Sequence, residues 1–207
     1  MERNIKGKEL RRIANFVCLK TSFVSSLGLY NGRMGHLLFL AHYTHFSKSP
    51  YYNELAEQFI DEICSRIKDD LPINFATGLC GIAWGILYLL QNNFIEGDPN
   101  DILYEIDKKI MERDLSRIND PSFETGLNGI LYYIQSRLLF TKCFQTSPFD
   151  SIYLSNYENV KNHTHLNDWN INSLIGNNHF DIHTNPANWN LGLEKGCSGY
   201  GLKLLLS

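Results

Sequence analysis

The sequence lacks the features of several large protein classes. Among its 207 residues the 19 Lys and Arg are nearly balanced by 22 Asp and Glu, for a net charge of -3. No basic run extends beyond Arg11-Arg12, so nucleic acid and anionic membrane surfaces are not expected as partners. The N-terminus, MERNIKGKELRR, lacks the apolar stretch of a secretory signal. The longest apolar run, residues 82–90, is far too short to span a bilayer. The five cysteines are odd in number and contain no C-x-x-C, which excludes an obvious disulfide framework and predicts free thiols in a reducing cytoplasm. Alternation of apolar and polar residues with period two is nearly absent, so little strand is expected.

What is present is a repeat. Four segments share the pattern Gly-x-x-Gly followed by an apolar helix: Gly32-Arg33-Met34-Gly35, Gly78-Leu79-Cys80-Gly81, Gly126-Leu127-Asn128-Gly129 and Gly196-Cys197-Ser198-Gly199. Their first glycines stand 46, 48 and 70 residues apart. The second and third copies match over eight positions, Phe75-Ala-Thr-Gly-Leu-Cys-Gly-Ile82 beside Phe123-Glu-Thr-Gly-Leu-Asn-Gly-Ile130. The first glycine is expected to adopt a backbone conformation that side chains avoid, and the second to admit a neighbouring helix. A glycine inside a helix costs about 1 kcal/mol relative to alanine, so its recurrence requires a packing reason.

Two kinds of helix alternate. Residues 35–41, 81–90 and 129–134 are apolar on nearly all sides, the pattern of a helix buried all round. Between them lie amphipathic segments. Residues 53–70 carry Leu55, Phe59, Ile63 and Ile67 on one stripe; residues 101–115 carry Ile102, Ile106, Ile110 and Leu115; residues 6–19 carry Leu10, Ile13, Phe16 and Val17. The order predicts an all-α domain over residues 1–207, an incomplete α/α toroid of about four hairpins (5–47, 50–93, 98–143 and 148–207) with apolar helices inside and amphipathic helices outside. The fourth outer helix is expected over about 149–160. A long polar loop, rich in Asn, His and aromatic residues, follows at about 161–191. The last inner helix looks short, which leaves Leu202, Leu204, Leu205 and Leu206 to be covered and suggests a fragment or a homo-oligomer.

At these glycine motifs the sequence resembles the lanthionine synthetase C-like family. The residues that carry the resemblance are 27–38, beginning Leu-Gly-Leu-Tyr-Asn-Gly-Arg-Met-Gly, then 77–85, 125–130 and 193–202. It implies the front part of a toroid of seven hairpins and a role linked to peptide modification of the thioether-cyclisation type, with a peptide substrate or partner protein. Family members that cyclise peptides hold zinc through two cysteines and a histidine, including a Cys-His-Gly. Neither Cys-His-Gly nor Trp-Cys-x-Gly occurs here, so the resemblance carries over the fold and no catalytic residue. No cofactor is expected from this chain unless a zinc site is completed elsewhere. Whether it is an enzyme stays open, beside two other readings: a non-catalytic peptide-binding or scaffold protein on the same fold, and a carbohydrate-active toroid needing two acidic residues in one cleft.

Candidate residues follow from the repeat. If all glycine pairs open inner helices, their loops gather at one end, and helix N-termini there favour polar or anionic ligands. Asn31, Arg33, Asn74, Thr77, Glu124, Asn128 and Ser198 are the ligand-binding candidates, with Cys80 and Cys197 in the same loops. The spacing of His179, Asp181 and His183, with Cys197 after them, makes His179, His183 and Cys197 a weak metal candidate; His163 and His165 with Asp168 are a second loop cluster. Solvated loop histidines are the simpler account. His42 and His45 share a helix face and are read as polar contacts. Trp169 and Trp189, preceded by Tyr153 and Tyr157, suit a groove lining or, more simply, anchors for the long loop.

Overall fold

A computed structural model of the chain describes residues 2–67, 71–141, 147–164, 169–176 and 178–207, with side chains from residue 5 onward. Cys143, His165 and Asp168, together with the end of the second outer segment, therefore lie outside the described residues. Among the described residues there is no strand. The helices are α1 (Glu2–Lys20), α2 (Arg33–Ser47), α3 (Pro50–Arg66), α4 (Leu79–Gln91), α5 (Pro99–Ile102), α6 (Tyr104–Met111), α7 (Leu127–Thr141), α8 (Ser151–Asn162), α9 (Ile171–Gly176) and α10 (Cys197–Leu206). Single 3-10 turns stand at Thr21–Phe23, Leu115–Arg117 and Pro186–Asn188. None of these helices is long and apolar enough to cross a membrane.

The chain forms two compact units: residues 1–67 with 169–207, and residues 68–168. In the first, α2 is buried along nearly its whole length, and α3 and α10 pack against it. Helix α10 also packs on α1 and α9, so the last repeat shares a core with the first. Helix α1 buries Leu10, Ile13, Ala14 and Val17, the i, i+3, i+4, i+7 stripe of an outer helix. Leu202 is wholly buried against this core, whereas Leu206 is exposed. Each fully buried Leu, Ile or Phe contributes about 1.5–3 kcal/mol relative to exposure.

In the second unit α4 and α7 are the paired inner helices, with α6 packed on α4. Helix α4 buries every residue from Leu79 to Leu87. Two outer segments start on aspartate caps. Asp98 accepts from Asn100 N at 2.7 Å, and Asp150 accepts from Tyr153 N at 2.7 Å. Ser49 stands at the N-cap of α3 ahead of Pro50, but its side chain makes no capping bond.

Three expectations change. The third outer helix is not continuous: it breaks at Leu103, and Leu103 takes a buried position while Ile102 is exposed. The polar stretch 161–191 is not all loop. It contains α9, where Ile171, Leu174 and Ile175 bury one face at helical spacing. The first glycine of the motif is not in an unusual conformation either. Gly32, Gly78 and Gly196 have φ of -124, -115 and -131°, extended backbone open to any residue.

The glycines are required for space instead. Before each inner helix the loop folds back, so that the first helical N–H donates to the carbonyl seven residues earlier. The bonds are Arg33 N to Ser26 O at 3.0 Å, Leu79 N to Pro72 O at 2.8 Å, Leu127 N to Asp120 O at 2.8 Å and Cys197 N to Asn190 O at 2.8 Å. A Cβ at Gly78 or Gly126 would fall on the carbonyl of Pro72 or Asp120. At the second glycine the obstacle is again the loop of the same repeat, through Leu29 O for Gly35, Phe123 O for Gly129 and Leu193 O for Gly199. A neighbouring repeat adds a second obstacle: Phe75 Cβ at 2.6 Å from a Cβ on Gly129, and Leu193 Cγ at 2.8 Å from one on Gly35. Repeat four therefore meets repeat one as repeat two meets repeat three.

Candidate functional site

In the second unit the loops ahead of α4 and α7 lie side by side. Ala76 N donates to Glu124 O at 2.9 Å, and the Phe75 and Phe123 rings meet edge-on with centroids 4.8 Å apart. Tyr132, one turn into α7, packs on both, at 5.7 and 5.4 Å. Asn74 is part of the loop's own scaffold, since its Oδ1 accepts from Thr77 N at 2.9 Å and Thr77 Oγ1 at 3.0 Å. The matching loop uses Asp120, which accepts from Ser122 N at 2.9 Å, Ser122 Oγ at 3.0 Å and Thr125 Oγ1 at 2.7 Å. These bonds to the charged form hold the Asp120 carboxyl below its ordinary range, the Ser122 N–H foremost. The sequence signal for Asp120 was the short Asp-Pro-Ser turn, which no motif search isolates. Thr77 and Glu124 are exposed, and Asn128 is half-buried with its Oδ1 enclosed and without a partner.

In the first unit Leu193 N donates to Tyr30 O at 2.7 Å, joining the loops of repeats four and one. Asn31 is exposed, with Oδ1 against Gly192. Arg33 is not a surface cation. It is 5% exposed, its Nε donates to Val24 O at 2.7 Å, its Nη2 donates to Ser22 O at 3.0 Å, and its Nη1 pairs with the Glu62 carboxylate. It ties the loop to α3. Ser198 is fully buried with its Oγ unpartnered, and Asn178, which sequence reasoning missed, donates Nδ2 to Leu193 O at 3.2 Å and Gly196 O at 2.9 Å.

The physical ground for an anion site at the helix N-termini does not hold. The first N–H of each inner helix is already bonded to its own loop, and so is the second in α2, α4 and α10: Met34 N to Leu27 O, Cys80 N to Ile73 O and Ser198 N to Leu191 O. What the loops offer is side-chain and carbonyl chemistry, from Asn31, Thr77, Glu124 and Asn128.

His36 lies in the first turn of α2 and is wholly buried. Thr21 Oγ1 donates to Val17 O at 2.7 Å, so the proton shared with His36 Nδ1 at 3.2 Å comes from the imidazole. Nε2 therefore carries a lone pair, and it has no partner. Burial, followed by the charge of Arg33, lowers the His36 pKa to about 4 from 6.5. The unfolded chain takes up this proton near pH 6.5 and the folded chain only near 4. Stability is thus whole above 6.5 and is lost as pH falls towards 4, by roughly 3 kcal/mol. Half-buried His42, lowered to about 4 by burial and then His45, acts in the same direction. We expect the urea midpoint to fall steadily over that interval and His36→Leu to remove about half of the slope, the rest staying with His42; an unchanged slope would assign the effect elsewhere.

The metal candidate is not assembled. Among the described residues no three His, Cys, Asp or Glu side chains converge. His179 and His183 are exposed, while Cys197 is buried. Burial pushes the Cys197 thiol up to about 12 and the Cys80 thiol well above its usual range, so both stay protonated and neither resembles a ready thiolate ligand. Cys64 is exposed. Maleimide treatment of the native chain, read by peptide mass mapping, should modify Cys64 while leaving Cys80 and Cys197 intact until urea is added. His163 Nδ1 bonds Asn159 O at 2.8 Å on its own helix. Trp189 anchors the polar stretch: its Nε1 donates to Thr184 O at 3.2 Å, its ring meets Phe16 and Phe180 at 5.2 and 5.1 Å, and the Arg12 guanidinium lies 4.8 Å above it. Tyr153 and Tyr157 are buried on α8.

One polar network was not anticipated. Arg137 of α7 is fully buried and Asp107 of α6 is 2% exposed. Arg137 Nε donates to Asp107 Oδ2 at 2.9 Å, and its Nη2 donates to Pro99 O at 3.2 Å and Asn100 Oδ1 at 2.9 Å. Tyr133 OH donates to Asp107 Oδ1 at 2.5 Å. Burial raises the Asp107 pKa, opposed by Arg137 and Tyr133. The sequence signal was an arginine within an apolar helix, four residues after a tyrosine. A cavity of about 220 Å3 reaches this pair, and Asp107 is the one carboxylate in its lining. The depressions around Ser151–Asn159 and around Thr44–Asn53 are lined by no acidic residue, so none of these three presents the two carboxylates of glycoside hydrolysis.

Comparison with known families matches residues 24–206 to the model of lanthionine synthetase C-like protein. No curated protein and no solved structure matches the chain.

Proposed function

Because the chain belongs to the lanthionine synthetase C-like family, we propose that it takes part in peptide modification of the thioether-cyclisation type by holding a peptide, and that its described residues supply no zinc site. The observation that carries the reading is the family match across nearly the whole chain, over all four glycine motifs. In this family zinc would polarise a peptide thiol for addition to a dehydrated serine or threonine. Among the described residues the two motif cysteines do not fit that ion: Cys80 and Cys197 are buried, protonated and without a converging histidine. Within each unit the contacts invoked are hydrogen bonds to peptide groups from that unit's own loop ends: Thr77, Glu124 and Asn128 in one, Asn31 in the other. Such groups pair with a neutral backbone without needing a charged ligand.

The test uses a fluorescein-labelled peptide containing one cysteine and one dehydroalanine. Anisotropy should report saturable binding, and the peptide thiol should remain open to alkylation with or without added zinc. Absence of binding up to millimolar protein would overturn the peptide reading. Zinc-dependent loss of the alkylatable thiol would show that the chain completes a metal centre after all.

A further inference from the structure

The end of α7 away from its glycine pair holds a buried cation that the peptide reading leaves unused. Arg137 is fully buried, and its guanidinium nitrogens fall into two sets. Nε and Nη2 are bound to Asp107, Pro99 and Asn100, whereas Nη1 is enclosed and has no partner. A buried guanidinium nitrogen without an acceptor is unfavourable, and such groups in native proteins call for an explanation. Arg137 and Asp107 line the cavity of about 220 Å3 with Asn100, Tyr104, Met111 and Pro148. The cavity is smaller than a typical cofactor or drug-sized pocket and suits one small group.

Charge selects that group. Asp107 already accepts from Arg137 and Tyr133, so the ion pair is internally neutralised. A carboxylate entering the cavity would bring an uncompensated buried charge, and an ammonium would face the guanidinium. A neutral carbonyl brings lone pairs without net charge. Asn100 has committed its Oδ1 to Arg137, which leaves its Nδ2 as a second donor. The ring of Tyr104, the thioether of Met111 and Pro148 provide apolar walls. We propose that this cavity is a binding site for a neutral amide carbonyl, received by Arg137 Nη1 and Asn100 Nδ2 between Tyr104, Met111 and Pro148.

The chain has three methionines, Met1, Met34 and Met111, so methyl-labelled methionine gives a direct readout. Met111 lines the cavity, and Met34 is buried in the other unit as an internal reference. Titration of the full chain with N-acetyl-alaninamide should shift the Met111 methyl signal saturably and leave Met34 unmoved. Acetamide should cause the same saturable shift, acetate, which has a carboxylate and no amide carbonyl, should bind about tenfold more weakly than acetamide, and Asn100→Asp should weaken the amide by about tenfold while the free variant keeps a native methyl spectrum. A capped alanine hexamer that binds tighter than the small amide would identify a peptide as the source, and equal affinity would identify a small molecule. A Met111 signal that does not saturate, equal affinity for the carboxylate, or indifference to Asn100→Asp would each overturn the proposal. The anisotropy test above reads a different ligand and is independent of this outcome.

Discussion

Asp107→Ala should lower unfolding stability by about 3–5 kcal/mol, read from urea denaturation by far-UV circular dichroism. The loss comes from the partner left behind. Arg137 is completely buried, and without Asp107 its charge would keep only the Pro99 carbonyl and the Asn100 amide oxygen as acceptors. Tyr133 would lose its acceptor at the same time. The double variant Asp107→Ala/Arg137→Met should recover most of this loss, because an apolar pair of similar volume no longer requires desolvated charge. If the two single losses simply added, the residues would not form the coupled unit their geometry describes. The Pro99 carbonyl on α5 and the Asp107 carboxylate on α6, on either side of the interruption at Leu103, both accept from this one guanidinium.

Gly129→Ala should cost about 3–5 kcal/mol and lower the melting temperature sharply, whereas Gly7→Ala should stabilise by about 0.5–1 kcal/mol. Both glycines are helical, and a propensity argument treats them alike. Around Gly7 nothing lies within 4 Å of an added Cβ, so only the gain in helix propensity remains. At Gly129 the Cβ would meet the Phe123 carbonyl and stand 2.6 Å from Phe75 Cβ. Both obstacles belong to interlocked loops: the first is backbone and the second is the root of a buried ring, so neither yields by a rotamer change. A cost below about 1 kcal/mol at Gly129 would mean that the loop relaxes, and the spatial account of the repeated glycines would fail.

The helical class was readable because it depends on short-range periodicity. The all-round apolar segments became α2, α4 and α7, and the stripe of Phe59 and Ile63 on α3 and of Leu10, Ile13 and Val17 on α1 turned inward as spacing required. The motif glycines could be located for the same reason, although the ground offered for the first of each pair was mistaken, since its backbone is extended. Among the site residues, Arg33 and Asn74 proved to be ties within their loops, whereas Thr77, Glu124 and Asn31 remained exposed. Residue type could not make that distinction, because the same guanidinium or amide serves a backbone carbonyl as readily as a ligand.

Spacing along 207 residues was enough to say that the apolar and amphipathic segments coil and which of their faces avoid water, though not to find α9 or the break at Leu103, since periodicity is settled within a few turns of the chain. The seating of Leu193 on Tyr30, the Arg12 bond to Ile182 O across 170 positions and the burial of Arg137 beside Asp107 follow no local pattern. They exist because distant segments compete for the same buried space, and a buried donor takes whatever acceptor the packing brings to it.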